Sequence, residues 1–189
     1  KAAYIDTGVW SNKAIKEAKK YLSVDVVASS RQEGYTFIPK VDKIEGEYDY
    51  AYITLNNTIV GTKWSYLPEM GTRADGTEIP LVADVSSCIL SEPLDVTKFG
   101  ILFAGAQKNL APAGVTVVII RRDLITEFPD PLTPTMLDYK THADSGSMYN
   151  TPPCYTIYIM GKVLAWIEAN GGAEGMKKRN EEKAYMLYD

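Results

Sequence analysis

Histidine is almost missing from this chain, with His142 the only one, and its two cysteines, Cys88 and Cys154, lie far apart with no C-x-x-C spacing. That scarcity argues against structural zinc, whose sites draw several ligands from these two residue types at close spacing. The same ground argues against a disulfide framework, and buried free thiols are expected at both cysteines. No apolar run approaches the roughly 20 residues needed to cross a bilayer. The opening KAAYIDTGVW also lacks the charged, apolar and small-residue regions of a signal peptide. Excess positive charge is missing too: 20 Lys and Arg stand against 24 Asp and Glu, net −4, which leaves no footprint for nucleic acid or an anionic membrane. Small molecules or other proteins are the expected partners, and the cytoplasm the expected location. What the chain has is ordinary globular composition, 46% hydrophobic and 23% charged over 189 residues, enough for one good core.

Short β-branched and aromatic runs punctuate the chain. Ala2–Ile5, Val24–Ala28, Tyr48–Leu55, Ile79–Ser87, Ile101–Ala104 and Val115–Ile120 read as strands or short apolar runs. Ser11 is positioned to cap a helix, SNKAIKEAKKY, whose apolar residues recur at helical spacing. Lys63–Glu78 has turn residues without a period and reads as loop. Asn150 or Thr151 is expected to cap a long helix, with Pro152 and Pro153 near its first turn and Gly171–Gly172 at its end. Apolar residues cover most of that helix's circumference, so burial on nearly all sides is expected, in its own domain or against a partner chain. The helix that follows has an apolar face of Met176, Ala184, Met186 and Leu187 that nothing obvious covers. Strands separated by longer, partly helical connections indicate an α/β domain with a mostly parallel sheet. The chain also begins without a cap and ends mid-element, as a piece of a longer polypeptide would.

FGILFAGAQKNLAPAGVTVVII, Phe99 to Ile120, holds one charged side chain, Lys108, between two apolar runs that look like buried strands. A solvated loop lysine is one reading. In the other, apolar surroundings disfavour the ammonium form and free the amine to attack a carbonyl, which is Schiff-base chemistry. Imine-forming aldolases and pyridoxal-phosphate enzymes both use it. Asp84, at the end of another apolar run, separates the two, because a carboxylate can keep a pyridine nitrogen protonated and an aldolase has no such nitrogen. Ser86 and Ser87 follow as hydroxyl donors, and the Gln107 amide could bond a phosphate oxygen or a ring.

Three stretches in order, ADVSS (Ala83–Ser87), AGAQKNLAPAG (Ala104–Gly114) and GSMYNTPP (Gly146–Pro153), resemble the phosphoserine aminotransferases, fold-type I pyridoxal-phosphate enzymes of class V. The resemblance covers essentially the whole chain. It implies a three-layer large domain with a mostly parallel sheet flanked by helices, and pyridoxal 5′-phosphate as cofactor. By the same resemblance Lys108 would bind the aldehyde and serve as general base, Asp84 would pair with the pyridinium, Gln107 would contact the phosphate and Ser86 would join the cofactor site. Thr58 in NNTIVG matches the position that bonds the phenolic oxygen. Asn150 and Thr151 match a pair reaching the phosphate of the neighbouring subunit's cofactor, which implies a homodimer. The implied reaction moves an amino group from glutamate to 3-phosphohydroxypyruvate, giving 2-oxoglutarate and O-phosphoserine, a step of serine biosynthesis. Arg73 and His142 are this chain's candidates for the substrate's negative groups.

The family's glycine-containing phosphate turn and ring-stacking aromatic find no match ahead of Asp84, and its small C-terminal domain finds none downstream. Residues 1–172 therefore read as the central part of the large domain, and 173–189 as a helix leading to an absent C-terminal small domain. Rivals are another fold-type I enzyme, either an alanine–glyoxylate type aminotransferase or a cysteine desulfurase, and a non-catalytic α/β domain.

Overall fold

The computed structural model describes residues 1–126 and 130–188. In chain order the main elements are β1 (Ala2–Asp6), α1 (Val9–Ala18), β2 (Val24–Ser29), β3 (Tyr50–Thr54), β4 (Leu81–Asp84), β5 (Ile101–Gly105), β6 (Thr116–Ile120), α2 (Tyr139–Asp144), α3 (Cys154–Ala169) and α4 (Gly172–Tyr188). The six strands form one sheet in the order β6-β5-β4-β3-β1-β2. Every neighbouring pair is parallel except β5–β6, which is antiparallel. Strand order reverses beside β1, and in open parallel sheets ligands gather outside the carboxyl ends at such a switch point.

Alternation along the strands divides the core. Ala3, Ile5, Ala51, Ile53, Leu81, Ala83, Leu102 and Ala104 share one face, where the connections between strands and Met160 of α3 cover them. Ala2, Tyr4 and Tyr52 share the other with Ile15 of α1, and Val82 and Phe103 pack there as well. Each fully buried Ile or Leu side chain among them contributes about 1.5–3 kcal/mol. Aromatic rings form a row on the α1 face: Tyr4 stacks on Tyr52 at 4.8 Å and Tyr52 on Phe103 at 6.4 Å. The Tyr4 and Tyr50 hydroxyls share a hydrogen bond of 2.8 Å.

Several local expectations are corrected. Helix α1 starts earlier than a Ser11 cap allows, with Gly8 as its N-cap. Ser11 sits in the first turn and reaches back, its Oγ accepting the N–H groups of Thr7 and Gly8, both at 2.9 Å. Lys63–Glu78 is not all loop: Thr62–Lys63 pairs with Asn56–Asn57, and Glu69–Met70 with Lys43–Ile44. Ahead of GSMYNTPP, Tyr139–Asp144 forms α2, a helix with no reading of its own in the sequence, capped by Asp138. Strand β6 is an edge strand with Val118 and Ile119 exposed, not a buried one.

Asn150 and Thr151 lie outside α3, whose N-cap is Pro153. Consecutive prolines hold the residues before them extended, and Thr156 fixes the helix start by donating to the Ala113 carbonyl at 3.0 Å. Only Thr156 and Ile167 of α3 are buried; Tyr155, at 71% exposure, and Tyr158, at 60%, face outward. Met176 of α4 is covered, whereas Met186 and Leu187 are exposed. Cys88 is buried as expected, but Cys154, the first residue of α3, is exposed.

Candidate active site

The carboxyl ends of β1, β3, β4 and β5 form one edge, and each ends in a turn that carries a functional candidate. Asp84 is the last residue of β4, paired in register with Thr54 of β3 and Phe103 of β5. Two-residue alternation puts it on the face of Val82 and Phe103, the α1 face. Its Oδ1 accepts the Ser86 N–H at 2.9 Å and the Ser86 hydroxyl at 2.6 Å. The Ser86 oxygen in turn accepts the Gly105 N–H at 3.0 Å, which ties the turn after β4 to the end of β5. Among the described residues nothing donates to Asp84 Oδ2, which leaves that oxygen open to a donor from outside the chain.

Lys108 sits on the turn joining β5 to β6. The Leu110 and Ala111 N–H groups both bond the Ala106 carbonyl and close that turn. A β-carbon at Gly105 would lie 2.7 Å from Gln107 Nε2, so glycine is what lets the Gln107 amide fold back over the strand end. Lys108 is exposed, not enclosed: the apolar runs on either side spend their side chains on the sheet, and the turn between them projects outward. Its amine has a specific neighbour, lying 5.0 Å from the centre of the Trp10 indole. The ammonium of Lys13 lies 4.7 Å from the same ring.

An aromatic ring does precede Asp84 at this edge, that of Trp10. It stands in the first turn of α1, at the same sheet edge, its ring brought to Lys108 from far away in sequence. The available signal was topological: GVWS directly follows a strand, and turns after parallel strands open on one edge.

Thr58 lies in the turn after β3, closed by the Gly61 N–H on the Asn57 carbonyl at 2.9 Å. Asn56 Nδ2 donates to Ser87 Oγ at 2.8 Å, and Ser87 Oγ donates to the Asn56 carbonyl at 3.1 Å, so Ser87 braces the β3 and β4 turns against each other. Asn150 and Thr151 are exposed ahead of α3, and no hydrogen bond of the described residues joins them to Asp84 or Lys108. Arg73 is held in its own hairpin by Thr77, Nε to Oγ1 at 2.8 Å. His142 Nε2 lies 2.9 Å from the Met136 carbonyl and serves α2.

Burial pushes the Cys88 thiol up to about 12, against the opposing pull of Lys63 and, more weakly, Lys108. A mobile thiolate nucleophile does not fit such a side chain. No group of metal-ligating residues is present among the described residues.

The sequence profile of the class-V aminotransferases matches residues 1–189, the whole chain. The chain belongs to the class-V aminotransferase family. This class-V chain is 52% identical to the phosphoserine aminotransferase of Geobacillus kaustophilus over 188 residues, covering 98% of the chain and 50% of that protein. Among solved structures it is similar to the phosphoserine aminotransferase of Bacillus circulans subsp. alkalophilus, with a TM-score of 0.92 and 45% identity, covering 100% of this chain and 51% of that one. A phosphoserine aminotransferase from Trichomonas vaginalis with PLP bound superposes at a TM-score of 0.87 with 35% identity, over 100% of this chain and 52% of that one. The class-V chain therefore spans about half the length of the curated relatives it matches.

Proposed function

We propose that this chain is the central part of the large domain of a pyridoxal-phosphate aminotransferase. In the whole protein that enzyme would transfer the amino group of glutamate to 3-phosphohydroxypyruvate, giving O-phosphoserine and 2-oxoglutarate. The observation that carries the reading is the Lys108 amine over the Trp10 indole, on the sheet edge where Asp84 presents an open carboxylate oxygen. An aldehyde-bearing aromatic cation suits that donor set: an amine for the aldehyde, a flat π-face for the ring and a carboxylate for its nitrogen. The bound cofactor would act as an electron sink for the substrate α-carbon.

The chain's own residues would share the remaining work. Lys108 would hold the aldehyde at rest and, once freed by the substrate amino group, its amine would carry the proton between the substrate α-carbon and the former aldehyde carbon. Asp84, with Oδ1 fixed by Ser86, would keep the ring nitrogen protonated through Oδ2. Trp10 would stack on the ring, Thr58 would donate to the phenolic oxygen, and Gln107 would contact the phosphate. Asn150 and Thr151 would serve the phosphate of a partner subunit, making the enzyme a homodimer. The exposed Tyr155, Tyr158 and Trp166 of α3 support a covered surface of that kind. A cytoplasmic location goes with this reading, and among the described residues no helix is long and apolar enough to cross a membrane. The buried thiol of Cys88 disfavours a desulfurase, and the phosphoserine aminotransferase relatives at about 50% identity support this specificity over the alanine–glyoxylate type.

Borohydride reduction of the whole protein as purified, followed by digestion and mass analysis, tests the reading. A pyridoxyl phosphate group on Lys108 is expected; an unmodified Lys108 peptide from a protein that is yellow before reduction would move the anchor elsewhere.

A further inference from the structure

The two turns that flank the Lys108 site from β1 and β3 are joined by a buried polar pair with no part in the reaction. Thr7, fully buried, precedes the α1 turn carrying Trp10, and Asn57, 2% exposed, directly precedes Thr58. Asn57 Nδ2 lies 3.2 Å from Thr7 Oγ1, and Thr7 Oγ1 lies 3.3 Å from Asn57 Oδ1. The same amide donates to Thr62 Oγ1 at 3.3 Å, across the ribbon that closes the Thr58 turn. Beside the pair lies Gly8, next to Thr7 in the chain, where a β-carbon would meet Asn57 Oδ1 at 2.7 Å. The two turns are therefore in direct contact, with no room for a side chain between them.

We propose that Thr7 and Asn57 are positioning residues that set the separation of the Trp10 indole from the Thr58 hydroxyl, and through it the pose of the ring held at Lys108. The inference rests on the cofactor reading above. Stacking fixes a ring along its normal, and a hydrogen bond to its edge fixes it within its plane. Both tolerate errors of only about half an ångström. Trp10 and Thr58 come from strands that are neighbours in the sheet, but the sheet does not set the distance between the turns beyond its edge. The Thr7–Asn57 pair does, and because both side chains are buried, breaking it leaves an amide short of a partner.

The test is a pair of variants in the whole protein. Thr7→Val keeps the volume and removes the hydroxyl, and Thr7→Ser keeps the hydroxyl. Cofactor dissociation constants come from titrating the apoenzyme with pyridoxal phosphate, and ring pose from the visible circular dichroism of the bound chromophore. Thr7→Val is expected to weaken binding about tenfold, the effect of roughly 1.4 kcal/mol, and to change the dichroic amplitude, with Thr7→Ser restoring both. Asn57→Ala should reproduce Thr7→Val, and the double variant should lose no more than Asn57→Ala alone. Variants that melt lower but bind and rotate light as the wild type does would overturn the proposal and leave the cofactor reading standing. A wild-type protein that takes up no pyridoxal phosphate would overturn both.

Discussion

Residues at this site differ in how far their roles depend on their surroundings. Lys108 is an exposed turn residue whose amine touches one aromatic ring, so its removal should cost the fold little. Lys108→Ala in the whole protein is expected to lower turnover by roughly 10²–10⁴, the usual worth of a positioned acid–base group, with melting nearly unchanged. Melting that fell along with activity would show a structural duty for the lysine. Asp84 belongs to a chain of contacts through Ser86 to Gly105. Asp84→Asn keeps the shape but loses the charge, and a charge-assisted bond contributes about 1.5–3 kcal/mol. Proton abstraction, followed by stopped-flow absorbance with glutamate, should slow by roughly ten- to hundredfold; an unchanged rate would free Asp84 from its assigned role.

Elements carry the aromatic row on the α1 face. Burial first, and the neighbouring tyrosines second, raise the Tyr4 phenol well above its ordinary value. Burial likewise raises Tyr52, with Asp84 adding to the shift and a hydrogen bond to Thr54 opposing it. Both phenols are thus held neutral by the fold. A proton held more tightly when folded adds stability that is fully present below the unfolded tyrosine value, about 10, and is lost as pH rises beyond it. Urea midpoints of the whole protein should hold between pH 8 and about 10 and fall above that, more shallowly in Tyr52→Phe. Equal slopes in the variant and the wild type would place the alkaline loss elsewhere.

The whole molecule decides the phosphate end of the site. Among the described residues Asn150 and Thr151 make no bond to the Lys108 edge, and the helix that follows them is anchored to the Lys108 loop through Thr156 and Ala113. If they serve a partner's cofactor, two inactive proteins should complement. Mixing Lys108→Ala with the double variant Asn150→Ala/Thr151→Ala, under conditions that exchange subunits, should give hybrids with one intact site. Activity should then return to about a quarter of wild type for statistical exchange within a two-fold dimer. No recovery despite exchange demonstrated by native mass spectrometry would place the pair in its own subunit's site.

The sequence by itself determined the six strands of the main sheet, the α/β class and the positions of Asp84 and Lys108 past apolar runs, because short β-branched stretches and strand-end turns are local patterns. It misjudged Ser11, Cys154 and the outer face of β6, and left open what covers α3 and whether Lys108 is enclosed, since burial depends on which neighbours arrive and a residue's own flanks do not report them. Only the tertiary structure brought Trp10 to Lys108 and Thr7 to Asn57. Parallel strands joined by long connections set distant turns side by side at one sheet edge, and contacts made across that edge leave no periodic trace along the chain.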